Sequence, residues 1–256
     1  MAQQPTLPLL ISSLIALSLP KPTPAFLQPI LTPPSSNRTP ALAALTATAK
    51  HRLLSASITQ TATSPSILSP LTPSFPPNIS DVRVKERLLP DDVFVQVMDI
   101  QDLGRSKWEQ IESLEAERKG ETTKGREIIR VVPAVEEGPS SASTQFPATQ
   151  NQQNASGDKA SKGPFKLLMQ DCKGTAVWGF ELRKVEKIGM PPVMGIGCKI
   201  LLRRGAKVAR GIVLLEPGKV LVFGGKIEGE DKAWREGREA RLRREVVEER
   251  GDGNRD

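Results

Sequence analysis

The chain has no tyrosine, one histidine and two cysteines among 256 residues, and only 4% of it is aromatic. Each scarcity closes a class of chemistry. With Cys172, Cys198 and His51 as the whole stock of thiols and imidazoles, no CxxC pair, zinc ligand set or disulfide framework can be assembled. The two thiols read as small, semi-buried hydrophobes, and a reducing compartment is the simpler setting. A Cys–His nucleophile pair has nothing to bring its members together. His51, in AKHRLL, falls near the end of a predicted helix beside Lys50 and Arg52, where positive charge suits the helix dipole.

Acidic residues are missing in one place. None occurs before Asp81, in a stretch that holds 14 of the 22 prolines. The formal charge of +7 favours an acidic partner such as nucleic acid, and is equally compatible with an ordinary soluble surface. The early run LPLLISSLIALSL follows no positive n-region and is too short to span a bilayer. A mitochondrial presequence stays an open alternative, although it would normally be Arg-rich and only Lys21 and Arg38 occur in the first 40 residues. Further on, Asp and Glu fall in helix faces and turns, without a carboxylate cluster or a Gly-rich phosphate cradle. A nuclease or hydrolase is therefore disfavoured, and no metal or cofactor is expected.

What is present early is helical. Leu7 to Leu17 is apolar enough for a buried helix ending at Leu19-Pro20. Thr23-Pro24 supplies an N-cap with proline at the first helical position, opening AFLQPIL, which Pro29 should limit. Thr39-Pro40 repeats that signal before ALAALTATAKHRLLSAS, where Leu42, Leu45, Ala49, Leu53 and Ile58 share one face. Residues 1–60 thus read as a small three-helix bundle, and the Pro-dense 61–90 as an extended linker.

From residue 91 the period changes to two. VFVQVMDI sets Val93, Val95 and Val97 on one face, and FKLLMQD does the same for Phe165, Leu167 and Met169. TAVWGFELR places Ala176, Trp178, Phe180 and Leu182 together on the expected core face, with Gly179 at a bend. CKILLRRG, GIVLLEP and VLVFGG follow, with a two-residue turn at Gly218 and Lys219. The expectation is a mainly β domain over 91–226: a small five-stranded Greek-key barrel of the oligonucleotide-binding (OB) type, against a generic meander. With Trp178 and Phe180 assigned inward, no aromatic stacking surface is expected.

An insertion, 104–163, interrupts the first two strands. Ser106 and Glu109 form a capping box for a helix through WEQIESLEAERK, stopping at Gly120, with Trp108, Ile111 and Leu114 on one side. That side either packs on the barrel wall or faces a partner. Lys124, Arg126 and Arg130 suit phosphate contact near DNA, or simply balance Glu117, Glu121 and Glu127; with Trp108, Glu109, Ile111, Arg118 and Lys119 they are the insertion's candidate partner-binding residues. Residues 134–162 are too polar to bury a core and are expected to be disordered. Lys199, Arg203, Arg204, Lys207 and Arg210 make an acid-free basic stretch suited to a partner surface or a DNA backbone. Residues 227–256 read as a charged, solvated helix leaning on the barrel.

Taken together, ALTATAKHRLLSASIT, LLPDDVFVQVMDIQDLGRSKWEQIESLEAERKGETTKGREIIRVVP, KGPFKLLMQDCKG, CKILLRRG and IVLLEPGKVLVFGGKIE resemble the RecQ-mediated genome instability protein 1 family in its compact fungal form. The resemblance covers most of 41–230, and it rests on the order and spacing of the blocks. It implies a non-enzymatic nuclear partner of topoisomerase III and a RecQ-type helicase. Such a complex dissolves double Holliday junctions and limits crossovers in homologous recombination, DNA repair and replication. It also implies a helical bundle before an OB-fold barrel, whose insertion between the first two strands reaches the topoisomerase gate. The alternative is a stand-alone single-stranded DNA-binding protein of the same barrel class.

Overall fold

The computed structural model of the chain describes residues 7–31, 40–60, 66–119 and 161–252. Three helices come first: α1 (Leu7–Ala16), α2 (Pro24–Leu31) and α3 (Leu42–Ser55). Strands β1 (Arg87–Leu88) and β2 (Val93–Asp102) lead to helix α4 (Lys107–Lys119). Then follow β3 (Phe165–Asp171), β4 (Ala176–Glu181), β5 (Lys199–Leu202), β6 (Lys207–Ala209), β7 (Ile212–Leu215), β8 (Val220–Gly224) and α5 (Glu228–Asp252).

The bundle is real but is held differently at its ends. Pro24 does open α2, yet Pro29 lies inside that helix, and the Thr23 hydroxyl donates to the Ile67 carbonyl at 3.4 Å. Helix α3 starts at Leu42, with Ala41 at the cap position and no side-chain cap. Packing supplies what capping does not: Leu10, Leu14, Leu27, Ile30, Leu45, Ala49 and Leu53 are buried in one cluster. Each buried Leu or Ile contributes about 1.5–3 kcal/mol. The outer face of the sheet closes this cluster, through Phe94 and Leu201.

That arrangement explains why β2 and β5 read as continuous apolar runs. Val93, Val95, Val97, Ile200 and Leu202 face the barrel core while Phe94 and Leu201 face the bundle. A strand buried on both faces has no polar side to alternate with. Gln96, on the bundle side, is buried but satisfied, accepting from Ile58 N at 3.0 Å. The segment expected as an extended linker is packed over its described part. Leu68 joins the bundle core, Phe75, Ile79 and Leu89 join the barrel core, and Phe75 N donates to the buried Asp171 carboxylate at 2.9 Å.

The sheet is a curled OB-fold sheet of order β1-β6-β7-β4-β3-β2-β5-β8, antiparallel except for the parallel pair β4·β7. The expected count of five strands becomes eight among the described residues. The two-residue β1 and three-residue β6 are too short for periodicity to reveal, and β7 and β8 take different partners, β4 and β5. Asp171 tightens the β3–β4 turn by accepting from Lys173 N and Thr175 N.

The facing of β4 is the reverse of the expectation. Val177, Gly179 and Glu181 point inward, and Trp178 and Phe180 are half-buried on the outer face. Gly179 decides this. A Cβ there would lie 2.6 Å from Met169 Cε and 3.2 Å from Leu215 Cδ1, so those side chains already fill the interior at that level. Glu181 can point inward because its carboxylate accepts from Phe165 N at 3.2 Å and Val185 N at 3.0 Å.

Candidate functional site

The insertion begins as the capping box predicts. Ser106 N donates to Glu109 Oε2 at 2.9 Å and Glu109 N donates to Ser106 Oγ at 3.2 Å, so α4 starts with two backbone donors satisfied reciprocally. Its buried residues are Gln110 and Ile111, whereas Leu114 is half-buried and Trp108 is 50% exposed. The side carrying Trp108, Ile111 and Leu114, read as packed on the barrel wall or facing a partner, is thus packed in part, at Ile111 and Leu114.

What covers α4 is α5. Lys107 Nζ lies 2.8 Å from Glu245 and 2.6 Å from Glu249, Arg243 pairs with Glu115 and Glu239, and Arg118 lies 3.6 Å from Glu239. The start of α4 thus lies by the end of α5. Each exposed pair is worth about 0–1 kcal/mol alone, and the buried anchors matter more. Arg238 Nη2 donates to Gln110 Oε1 at 2.9 Å, and Gln110 Nε2 donates to the Asp102 carbonyl at 3.0 Å. Trp234 joins the barrel core and donates from Nε1 to Asp99 Oδ1 at 2.6 Å. Arg238 and Arg241 lie over its ring, at 5.6 and 5.3 Å from the centroid. Residues 227–256 were expected as a charged, solvated helix leaning on the barrel; over its described part α5 does lean there, through Trp234, and its charges also clasp α4 rather than meeting only water.

Charge states follow from this packing. Burial lowers the Lys107 pKa, but hydrogen bonds to Glu245 and Glu249 outweigh that and hold it above its ordinary value. Burial also pulls Arg238 down, with Asp102 acting the other way. Burial pushes Cys198 up to about 11 and raises Cys172 as well, so neither thiol is a nucleophile at neutral pH.

The candidate basic residues separate in space and environment. Lys124, Arg126 and Arg130, the cap Gly120 and nearly all of 134–162 lie outside the described residues. Lys119 is exposed. Lys199 corrects the expectation of a surface contact: it is fully buried, its Nζ donates to the Gly197 carbonyl at 2.5 Å, and burial pulls its pKa down to about 8. It sits first in a strand covered on both sides. Arg203 lies 3.3 Å from Asp92, Lys207 lies 3.7 Å from Glu86, and Arg210 Nη1 donates to the Val82 carbonyl. Arg204 is exposed, its N donating to Asp92 Oδ1 at 2.7 Å. The stretch is acid-free in sequence only.

An aromatic surface that the alternation had assigned to the core lies on the outer face of β3, β4 and β7. Lys166 Nζ sits 4.4 Å from the Trp178 ring centroid. Leu168 pairs with Trp178 and Lys166 with Phe180 across the β3–β4 ladder, while Ile212 and Leu214 flank them from β7. The signal that could have found it was Gly179, whose lack of a side chain fits the crowded inner face. Among the described residues, no group of His, Cys, Asp and Glu could hold a metal ion.

Two similarities to known proteins accompany this geometry. The family model described as RMI1, N-terminal OB-fold domain, matches residues 75–238. A relative in Schizosaccharomyces pombe, RecQ-mediated genome instability protein 1, is 26% identical over 152 residues, which are 59% of this chain and 61% of that protein. The match thus spans about three fifths of that relative's length.

Proposed function

The chain belongs to the family of RMI1 N-terminal OB-fold domains, and from that premise we propose that it is a non-catalytic subunit that binds and modulates topoisomerase III. Family membership implies a RecQ-associated role in genome stability. In the proposed complex with topoisomerase III and a RecQ-type helicase, the chain promotes dissolution of double Holliday junctions in the nucleus and limits crossovers. DNA is met mainly through the complex.

The observation that carries this reading is the clasp of α4 by α5. A segment that must reach a partner's gate needs a root with one direction, and a helix capped at its start and tied along its length supplies it. The barrel and bundle then serve as the dock, and the insertion as the effector. The test compares the full chain with a variant in which residues 120–160 are replaced by a short Gly-Ser linker and α4 is kept. Both should bind topoisomerase III, and only the full chain should alter decatenation. Unchanged decatenation by the variant would remove the insertion from the mechanism, and absence of binding by the full chain would remove the reading.

A second reading has one observation in its favour, the outward Trp178 with Lys166 above it. Aromatic faces flanked by cations hold single-stranded nucleic acid by stacking and backbone attraction. On this reading the barrel binds single strands with no protein partner present.

A further inference from the structure

A 340 Å³ groove lies where α1 meets the barrel, walled by Ile15, Leu19, Phe94 and Leu201. Ile15 is 52% exposed. Leu71 adjoins Thr72, another residue of the groove lining, and is 91% exposed. An apolar side chain left so far in water beside an apolar groove is a feature of docking surfaces.

Two further observations say what the groove would take. Thr72 is buried, and its hydroxyl has no hydrogen-bond partner among the described residues. A buried hydroxyl without a partner is uncommon in a folded protein and calls for an explanation. The second observation is charge. No Asp or Glu occurs in residues 1–80, whereas Lys21, Lys50 and Arg52 occur in and around the bundle helices. Among the described residues, the one carboxylate lining the groove is Asp92, held by Arg203 Nη1 at 3.3 Å. A guanidinium carries five N–H donors, so Arg203 has capacity for a second carboxylate.

We infer that this groove is a protein-docking site for an acidic amphipathic segment of a partner. An apolar side chain of that segment packs on Ile15 and Leu71, a polar group pairs with the Thr72 hydroxyl, and carboxylates face Arg203. The inference rests on the reading above to this extent: topoisomerase III is the expected owner of the segment. A nucleic-acid strand is disfavoured because the groove walls are apolar and Asp92 stands on its rim.

The test uses the full chain and three variants: Leu71→Glu, Ile15→Glu with Leu71→Glu, and Thr72→Val. Each is titrated with topoisomerase III and, separately, with a synthetic Leu-anchored helix ringed by Glu and its Glu→Lys counterpart. The expected result is at least tenfold weaker binding of topoisomerase III and of the acidic helix by both Glu variants, with unchanged melting temperatures. Thr72→Val should weaken binding several-fold while its melting temperature holds or rises, which a purely structural hydroxyl would not do. The Lys-ringed helix should not bind.

Binding of both probes within twofold across all variants overturns the inference. So does a loss of self-association in the Leu71→Glu chain alone, which would make the occupant a second copy, or an effect confined to single-stranded oligonucleotides. If topoisomerase III binds every chain alike, the groove fails and the functional reading stands. If the wild type ignores topoisomerase III yet binds the acidic helix through Leu71, the functional reading fails and the groove stands. If the wild type binds neither probe, both fail.

Discussion

Arg238 of α5 donates a 2.9 Å hydrogen bond to Oε1 of Gln110 on α4, and Gln110 in turn donates to the carbonyls of Asp102 and Arg105 at 3.0 Å. One buried amide thus joins the end of β2, the start of the insertion and the C-terminal helix. Arg238→Ala leaves that amide oxygen without its partner. The expected cost is about 1–3 kcal/mol, read from the urea midpoint. Amide exchange across 107–119 should speed up more than in the barrel strands, since the clasp is local. Equal acceleration everywhere would show that α5 braces the whole domain.

Lys199 offers a pH test. Burial lowers its pKa from 10.5 to about 8 in the fold, so the unfolded chain holds the proton at a pH where the folded chain has released it. Stability from this group therefore rises with pH between about 8 and 10.5, and below that window the buried ammonium costs up to about 3 kcal/mol. Lys199→Met should be more stable than wild type at pH 7, with the difference shrinking as pH rises through the window. Cys198, held up near 11, opposes that slope above pH 9, and its thiolate and the Lys199 ammonium stabilise each other, so the two proteins are compared below pH 9. A constant difference across pH would sink the account.

Gly197 has φ +84°, and a Cβ there would lie 2.5 Å from Ile227 N. Its N donates to the Val97 carbonyl at 2.7 Å, so the backbone cannot retreat without losing a ladder contact. Gly197→Ala should cost more than about 2 kcal/mol, from left-handed strain together with the clash. Gly218→Ala should cost only the strain, because none of the described residues lies within 4 Å of its added carbon. The two urea midpoints compare these directly.

Trp178→Ala distinguishes the two functional readings. If single strands bind the barrel face, the substitution should weaken oligonucleotide binding by about 1–3 kcal/mol, and Lys166→Ala should reduce its salt dependence. Under the topoisomerase reading, fluorescence anisotropy should give the same weak oligonucleotide binding for wild type and variant.

The sequence alone determined the early helices, the longer strands, the capping box at Ser106 and Glu109, the inward set Phe165, Leu167 and Met169, and the buried cysteines. These are local properties: a period, a cap and a composition are carried by neighbouring residues. Tertiary structure decided the rest. Trp178 alternates correctly for either face, and only Met169 and Leu215 filling the space at Gly179 turned it outward. Lys199 lies in a basic stretch of sequence, and only its place in a strand buried along its whole length took it out of water. Helix α5 reads as solvated because its charges could be met by water; that they meet α4 depends on two segments more than 100 residues apart. Pairing at that separation depends on how the sheet curls, which no run of neighbouring residues encodes.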